Sequence, residues 1–370
     1  MMRSITTLTF LSLFLLLQAP RTHAQLGDAG EMLRASTEDA NLLLENYLQP
    51  FGSGFGAGLN AGWFNSAKPY GKFGFDLRAG ASIALVPSTG LVFNAFDQTY
   101  QSLEYLGGPV ESQTISGDDI SGTTLGQTFT YTHPVTNEEI TETLFQFDMP
   151  AGTGLPYVPA PMAQLSIGLI KDTEVAFRFM PVVDIEDVAS IGLWGIGVKH
   201  GLNQWIPGGS TMPVDIALQF GHTSLTAEAF FEVDPQMDAD TENSYSAATW
   251  EDQGIKLQTS GSTYNLLVGK NLPFISLYGG LGYQSSVMAI STPGSYPITI
   301  PNADYDPSVS GSKIKKIDKV DEPIDFELIG ENSFHATGGL RLRLALITIS
   351  ASYTLADYPV ANVGVGLSFR

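Results

Sequence analysis

The sequence predicts an all-β fold: an antiparallel transmembrane β-barrel of ten to fourteen strands, even in number, behind a short N-terminal helix and a Gly-rich plug segment. Three observations predict it. The chain opens with an export signal, apolar residues alternate with small or polar ones in repeated runs from residue 72 to the end, and the connections between those runs alternate in length.

Residues 1–24 read as a secretory signal peptide, with Arg3 as the positive region, Ile5 to Leu17 as the apolar stretch and Thr22-His23-Ala24 as the cleavage site before Gln25. Nothing after it approaches the roughly 18 consecutive apolar residues of a spanning helix. A membrane form therefore has to be a closed barrel, the other architecture that pairs every backbone group in lipid. The absence of cysteine excludes disulfides, thiolate metal sites, cysteine catalysis and a lipidated cysteine anchor. Loss of Arg3 and Arg21 with the signal, and of no acid, takes the formal charge from -20 to about -22. So acidic a chain is a poor partner for nucleic acid. A charged fraction of 15% beside 39 glycines suits long lipid-facing and close-packed strands.

Ser36-Thr37-Glu38-Asp39 is a helix start, and Leu43, Leu44, Tyr47 and Leu48 recur at helical spacing up to Pro50, where the helix is expected to end. The following run, Phe51 to Phe64, carries Gly52, Gly54, Gly56, Gly58 and Gly62 and reads as too Gly-rich for a helix and too irregular for a strand. Its phosphate-loop look is discounted, because it lies between a helix and a strand, the reverse of a nucleotide-binding turn. Phe51, Phe55, Trp63 and Phe64 are expected to pack as a plug in the lumen. The domain division is then signal 1–24, helix and hatch 25–71, and barrel 72–370.

Ten alternating runs follow, at 72–86, 161–170, 174–180, 190–200, 212–232, 260–269, 274–288, 333–344, 347–356 and 361–370. Val92 to Phe96 and Thr143 to Phe147 could supply another pair. Links near Lys171, Pro207, Lys270 and Ala345 are short, whereas 87–160, 181–189, 233–259 and 289–332 are longer, with 87–160, 233–259 and 289–332 as long outer loops, as in outer-membrane barrels with both termini inside; only Ala356 to Val360 is short where a long link would fit. The last strand puts Val363, Val365, Leu367 and Phe369 on one face. Phe369 with Arg370 is the expected signal to a barrel-assembly machinery, and this strand should pair with 347–356 and with the first. Tyr70, Phe73, Trp205, Phe274, Tyr283, Tyr353, Tyr358 and Phe369 fall near strand ends, where interfacial girdles belong.

Residue parity points Asp76, Arg78, Arg178, Lys199, Asp215, Gln219, His335, Arg341 and Arg343 into the lumen. His335 lacks a Ser-His-acid set on the lipid face, so no catalytic residues, no cofactor and no metal site are expected. The Asp238-Ala239-Asp240-Thr241-Glu242 run lacks the Gly and distal Glu of a calcium hand. Lys313, Lys315, Lys316 and Lys319 stand beside Asp318, Asp321 and Glu322, either balanced by them or turned toward lipopolysaccharide phosphates.

The motifs Glu38-Asp39-Ala40-Asn41, Glu45-Asn46-Tyr47-Leu48-Gln49-Pro50, Gly62-Trp63-Phe64-Asn65-Ser66-Ala67-Lys68 and Leu277-Tyr278-Gly279-Gly280-Leu281-Gly282-Tyr283 carry a resemblance. By these the chain resembles a family of Bacteroidota outer-membrane proteins of unknown function, along nearly its whole mature length. In layout alone, the helix and Gly-rich segment are similar to the N-terminal hatch of outer-membrane long-chain fatty acid and aromatic hydrocarbon transporters. The Asn-Pro-Ala motif of those hatches is absent. Three functions stay open: passive passage of small hydrophobic molecules, a non-conducting structural or surface-interaction barrel, and a lipid hydrolase, the last disfavoured. The expected partners are outer-membrane lipid and lipopolysaccharide, the assembly machinery and a small apolar ligand.

Overall fold

In the computed structural model all ten runs become strands of one closed antiparallel barrel. The structure describes residues 32 and 35–369 apart from 134–135, 186–188, 232, 234, 236–246, 251 and 331. The expected signal peptide, the acidic 238–242 run and Arg370 lie outside the described residues. Helix α1 (Thr37–Asn60) comes first, then β1 (Phe75–Leu85) and five loop strands: β2 (Val92–Asn94), β3 (Glu104–Gly107), β4 (Glu111–Gln113), β5 (Thr124–Thr132) and β6 (Glu139–Asp148). The wall continues with β7 (Tyr157–Gly168), β8 (Thr173–Ile185), β9 (Ala189–Gly201), β10 (Asp215–Phe230), β11 (Gly254–Asn271) and β12 (Ile275–Ser291). After three more loop strands, β13 (Ser295–Pro301), β14 (Lys315–Asp321) and β15 (Asp325–Ile329), it is completed by β16 (Ser333–Leu344), β17 (Ile347–Leu355) and β18 (Val360–Phe369).

Around the ring the order is β1, β7, β8, β9, β10, β11, β12, β16, β17, β18 and back to β1, so no wall strand lacks a neighbour on either side. The last strand closes on the first, Phe75 opposite Phe369 and Leu77 opposite Leu367, and pairs on its other side with β17. The links from β7 to β8, β9 to β10, β11 to β12 and β16 to β17 gather at one end, called here the turn end; the long connections leave the other, the loop end, where the links from β8 to β9 and from β17 to β18 are short and break the expected alternation. The extra strands at 92–94 and 139–148 exist but do not enter the wall. They pair with β4 and β5 in small sheets at the loop end.

Alternation sorts the wall into two faces. Outward side chains are apolar and exposed along the strands, among them Leu77, Phe177, Ile196, Leu266, Leu340 and Val365. A band of rings runs toward the loop end: Trp194 against His222 at 5.5 Å, Phe220 against Tyr264 at 5.0 Å, and Tyr283 against Phe334 at 5.3 Å. Beyond it the outward faces of β10 and β11 become polar, with Glu228 and Lys256 paired at 3.0 Å. At the turn end Phe75 stacks on Phe369 at 6.1 Å, with exposed Phe73, Trp205 and Phe274 nearby. Two expected girdle residues are corrected. Tyr70 is buried in the interior, and Tyr358 packs beside Ala57, Ala84 and Val360 at the loop end.

The long connections fold into a cap over the loop end. Its core joins Leu43, Leu44 and Tyr47 of α1 to Leu125, Leu144, Phe147, Met149 and Leu328, which explains why Thr143 to Phe147 reads as a strand without belonging to the wall. Asp39, buried in the first turn of α1, accepts hydrogen bonds from the backbone N–H groups of Gln101, Ser102 and Leu103 and from Ser102 Oγ. Ser36 caps the helix by accepting from the N–H of Asp39.

The helix does not end near Pro50. It runs on to Asn60 through four glycines, against their intrinsic preference and against the missing N–H of Pro50. Confinement overrides propensity here. A Cβ at Gly52 would lie 2.9 Å from Leu328, and one at Gly56 would overlap the Ser286 side chain. On the opposite face, a Cβ at Gly54 would lie 2.8 Å from Val158 and one at Gly58 2.8 Å from Ala160. Spacing by four puts each pair on one side of the helix, and Val158 and Ala160 on β7 stand across the ring from Ser286 on β12. The glycines let a bare helix fit between opposite walls.

Candidate functional site

From the C-terminal end of α1 the chain continues through the barrel interior to the turn end, where Gly74 bonds back to Gly71 and Phe73 to Gly168 before β1 begins. The first turn of α1 lies among the loops, Asn41 donating to the carbonyl of Pro323. Residues 37–70 therefore traverse the barrel from its loop end to its turn end. The site consists of this segment and the inward side chains that hold it.

A helix ends with carbonyls that have no N–H partner and with the negative end of its dipole. The wall supplies the cations that the helix lacks. Arg178 on β8 donates to Leu59 O at 2.6 Å and Ala61 O at 2.8 Å, and its Nε reaches Gln164 Oε1 at 3.1 Å. Arg78 on β1 donates to the carbonyl of Gly62. The guanidinium of Arg178 also covers the ring of Trp63, whose other surroundings are Gly197 on β9 and Gly221 on β10, where any side chain would strike the indole. Gln164 donates to Trp63 O at 3.0 Å, and Phe64 meets Tyr278 edge-on at 5.7 Å.

Nearer the turn end a second polar layer grips the irregular stretch. Lys199 and Glu174 form a buried ion pair at 2.9 Å, Lys199 donating to Ser66 O and Glu174 accepting from the N–H of Tyr70 at 3.1 Å. Arg341 donates to Tyr70 Oη at 2.6 Å, Asn65 Oδ1 at 3.1 Å and Ser276 Oγ at 3.2 Å. Asp76 accepts from Asn65 Nδ2 at 3.3 Å. Buried charges survive only where paired or hydrogen-bonded, and here backbone carbonyls and ring faces serve as counter-charges. Four cations, Arg78, Arg178, Lys199 and Arg341, face two carboxylates, Asp76 and Glu174, so the interior is cationic in a chain of net charge -20.

His335 and Gln219 are buried with these groups, whereas Asp215 and Arg343 are half-buried near the turn end. Asn265 links the two, donating to Gln219 Oε1 at 2.6 Å while its Oδ1 meets His335 Nε2 at 2.8 Å. Between α1 and β11, β12 and β16 lies a polar cavity of about 10 Å³, room for about one water molecule. His335 Nδ1, Gln284 Nε2 and Asn60 Oδ1 are buried without a protein partner beside it. Phe51 and Phe55 sit higher, stacked at 5.7 Å and half-buried against the cap core.

Sequence reasoning missed Glu174, Gln164 and Asn65. For the first two the signal was present, since both share the parity of Arg178 and Asp76. It also looked for a Ser-His pair around the wrong histidine. The outward-facing pair is His222 with Ser262 on neighbouring strands, 2.9 Å apart. Among the described residues no carboxylate hydrogen-bonds this histidine, and both residues lie inside the β10–β11 ladder, which occupies the N–H groups an oxyanion would need. In the loops, Lys319 pairs with Asp321, and Lys315 donates to Leu144 O at 3.1 Å.

Among solved structures, the translocator domain of the autotransporter NalP from Neisseria meningitidis aligns with 11% identity over 81% of this chain and 90% of its own, at a TM-score of 0.26. Ail, the attachment invasion locus protein of Yersinia pestis, aligns with 10% identity over 80% of this chain and 99% of its own, at 0.19. CdiB from Acinetobacter baumannii aligns with 9% identity over 80% of this chain and 60% of its own, at 0.21. No curated protein matches the sequence. Residues 2–369 match one family model from end to end, and the chain belongs to that family, the family of unknown function DUF6588.

Proposed function

We propose that the protein is an outer-membrane β-barrel closed along its axis by its own N-terminal segment, a non-conducting surface-interaction barrel that presents a folded loop cap. The observation that carries this reading is the bonding of the segment's backbone between residues 59 and 70 by Arg78, Arg178, Lys199, Glu174 and Gln164 of the wall. Such bonds hold a plug in place. Opening the axis would strip several buried charges of their partners, each at a cost of about 3 to 5 kcal/mol.

The location rests on chemistry. An apolar outward face bounded by rings suits lipid, and a closed ring leaves no strand edge-on to it. The export signal fits delivery to that membrane, and Phe369, seated on Phe75 at the closing strand, is the group an assembly machinery would read. Lipid and lipopolysaccharide are then the immediate neighbours. Small apolar solutes gain nothing from an axial path lined by buried charges, which favours the closed barrel over passage along the axis.

Planar-bilayer recording tests the proposal. The full chain is expected to show no steady conductance, and R178A/R341A, which keeps the segment but removes two of the side chains that hold it, to show intermittent openings. A steady conductance from the unaltered protein overturns it.

A further inference from the structure

The small polar cavity at the end of α1 is bounded by three side chains whose polar atoms have no protein partner: Asn60 Oδ1 on the last residue of the helix, Gln284 Nε2 on β12 and His335 Nδ1 on β16. Each of the three residues is more than nine-tenths buried. Other polar groups of the lining are already satisfied. Asn265 bonds Gln219, Thr263 and His335, the hydroxyls of Thr337 and Thr354 bond each other at 2.8 Å, and Ser352 bonds the Tyr278 hydroxyl. A buried polar atom without a partner is destabilising, and three such atoms around one cavity point to a shared ligand.

Bond directions define what that ligand must do. Asn60 Nδ2 donates to Ser285 O at 2.9 Å, which leaves its Oδ1 as an acceptor. Asn265 Nδ2 donates to Gln219 Oε1 at 2.6 Å and to Thr263 Oγ1 at 3.0 Å, so its Oδ1 is the atom that meets His335 Nε2, and the ring proton sits on Nε2. In the uncharged ring Nδ1 is then a second acceptor. Gln284 Nε2 can only donate. The ligand must therefore donate twice and accept once, within a space of about 10 Å³. A halide has nothing to donate. An alkali or ammonium cation cannot accept from Gln284, and it would add charge to an interior where four cations already face two carboxylates. Water meets all three demands in that volume.

We propose that this cavity is a binding site for one ordered water, which donates to Asn60 Oδ1 and His335 Nδ1, accepts from Gln284 Nε2, and so links the end of α1 to β12 and β16. Glycines make the approach possible: a Cβ at Gly282 would lie 2.6 Å from His335 Nε2, and one at Gly261 2.8 Å from Asn60 Oδ1. Around the ring β16 stands opposite β8, so the water completes from the far side the hold that Arg178 exerts on the same helix end. One side of the helix terminus is fixed by a charge of the wall and the other by an exchangeable solvent molecule. The site goes beyond the axial closure proposed above and does not depend on the membrane location.

A crystal structure of the full chain, at a resolution that shows ordered solvent, tests the site directly. One isolated density peak is expected at about 2.7 to 3.2 Å from all three atoms. No peak, or a peak out of reach of any of the three, overturns the proposal. An anomalous signal at that point in crystals grown with bromide or rubidium assigns an ion and overturns it as well. In Q284M, which keeps the length of the side chain but cannot donate, the peak should lose most of its occupancy while residues 59–64 keep their course. Full occupancy in Q284M removes Gln284 from the site and overturns the assignment. Independently of any crystal, histidine nitrogen NMR of the full chain in lipid nanodiscs, with H335Q identifying the resonance, should show the Nε2–H tautomer. A proton on Nδ1 contradicts the bonding pattern and the proposal with it.

Discussion

The guanidinium of Arg178 lies 3.8 Å from the ring centroid of Trp63 while its two terminal nitrogens hold the carbonyls of Leu59 and Ala61. One side chain of the wall thereby fixes both the end of the helix and the first large ring after it. Replacing Arg178 by Met leaves two buried carbonyls unpaired and is expected to destabilise the protein by about 3 kcal/mol. Lysine, a single point donor on a flexible stem, should recover part of the loss. Urea titration followed by gel mobility gives both values. An R178M midpoint equal to that of the unaltered protein contradicts the arrangement.

Gly56 and Ser286 are expected to be coupled. G56A adds helix propensity of about 1 kcal/mol, but the new methyl overlaps the Ser286 side chain, so the variant should be less stable by about 1 to 3 kcal/mol. S286G opens the space, and G56A/S286G should recover most of that loss. Additive effects in the double-mutant cycle would show that the helix does not touch β12 at this level.

The path of residues 37–70 puts Glu38 at the loop end and Lys72 at the turn end, both exposed. The chain has no cysteine, so single substitutions report cleanly. With the loops outside, E38C should react with a membrane-impermeant maleimide on intact cells, and K72C only after permeabilisation. The reverse pattern would invert the barrel or withdraw the segment from its lumen.

Asp39 ties the start of α1 to the loop at 101–103. Burial pushes its carboxyl up, but hydrogen bonds from Gln101, Ser102 and Ser36 outweigh this and hold it below its usual 3.8. A depressed value means that the stabilisation is present above pH 3.8 and is lost as pH falls through the lower folded value. D39N should therefore reduce hydrogen-exchange protection at Gln101 to Leu103 at pH 7, and by progressively less as the pH is taken down below 3.8. An effect that does not change with pH would show that charge has no part in this docking.

The wall was legible in the sequence because each strand turns an apolar face outward and its other face toward the enclosed segment, which writes a period of two. Parity alone also placed Arg78, Arg178, Lys199 and Arg341 inside. The extension of α1 past Pro50 was not legible, because glycines at 52, 54, 56 and 58 are poor helix formers and only the walls on both sides make them the right choice. The cap was obscure for another reason: its short strands pair with one another inside one long connection, and Asp39 is held by residues sixty positions away. The short ladder between β7 and β8, which stops at Gln164 and Arg178, left a trace in Pro159, Pro161 and Pro181, but alternation reports faces and says nothing about neighbours.

The bare flanks of α1 at Gly52, Gly54, Gly56 and Gly58 make the helix a gauge of bore. A helix backbone has a radius of about 2.3 Å, and a barrel widens with each strand added to it. With ten strands the space across the ring accepts the backbone and little else. Two further strands would leave it rattling, and larger side chains at these four positions would be needed to span the gap. Residue size at 52, 54, 56 and 58 and strand number are thus a single architectural choice, and a relative carrying Ala or Val there should be built on a wider ring.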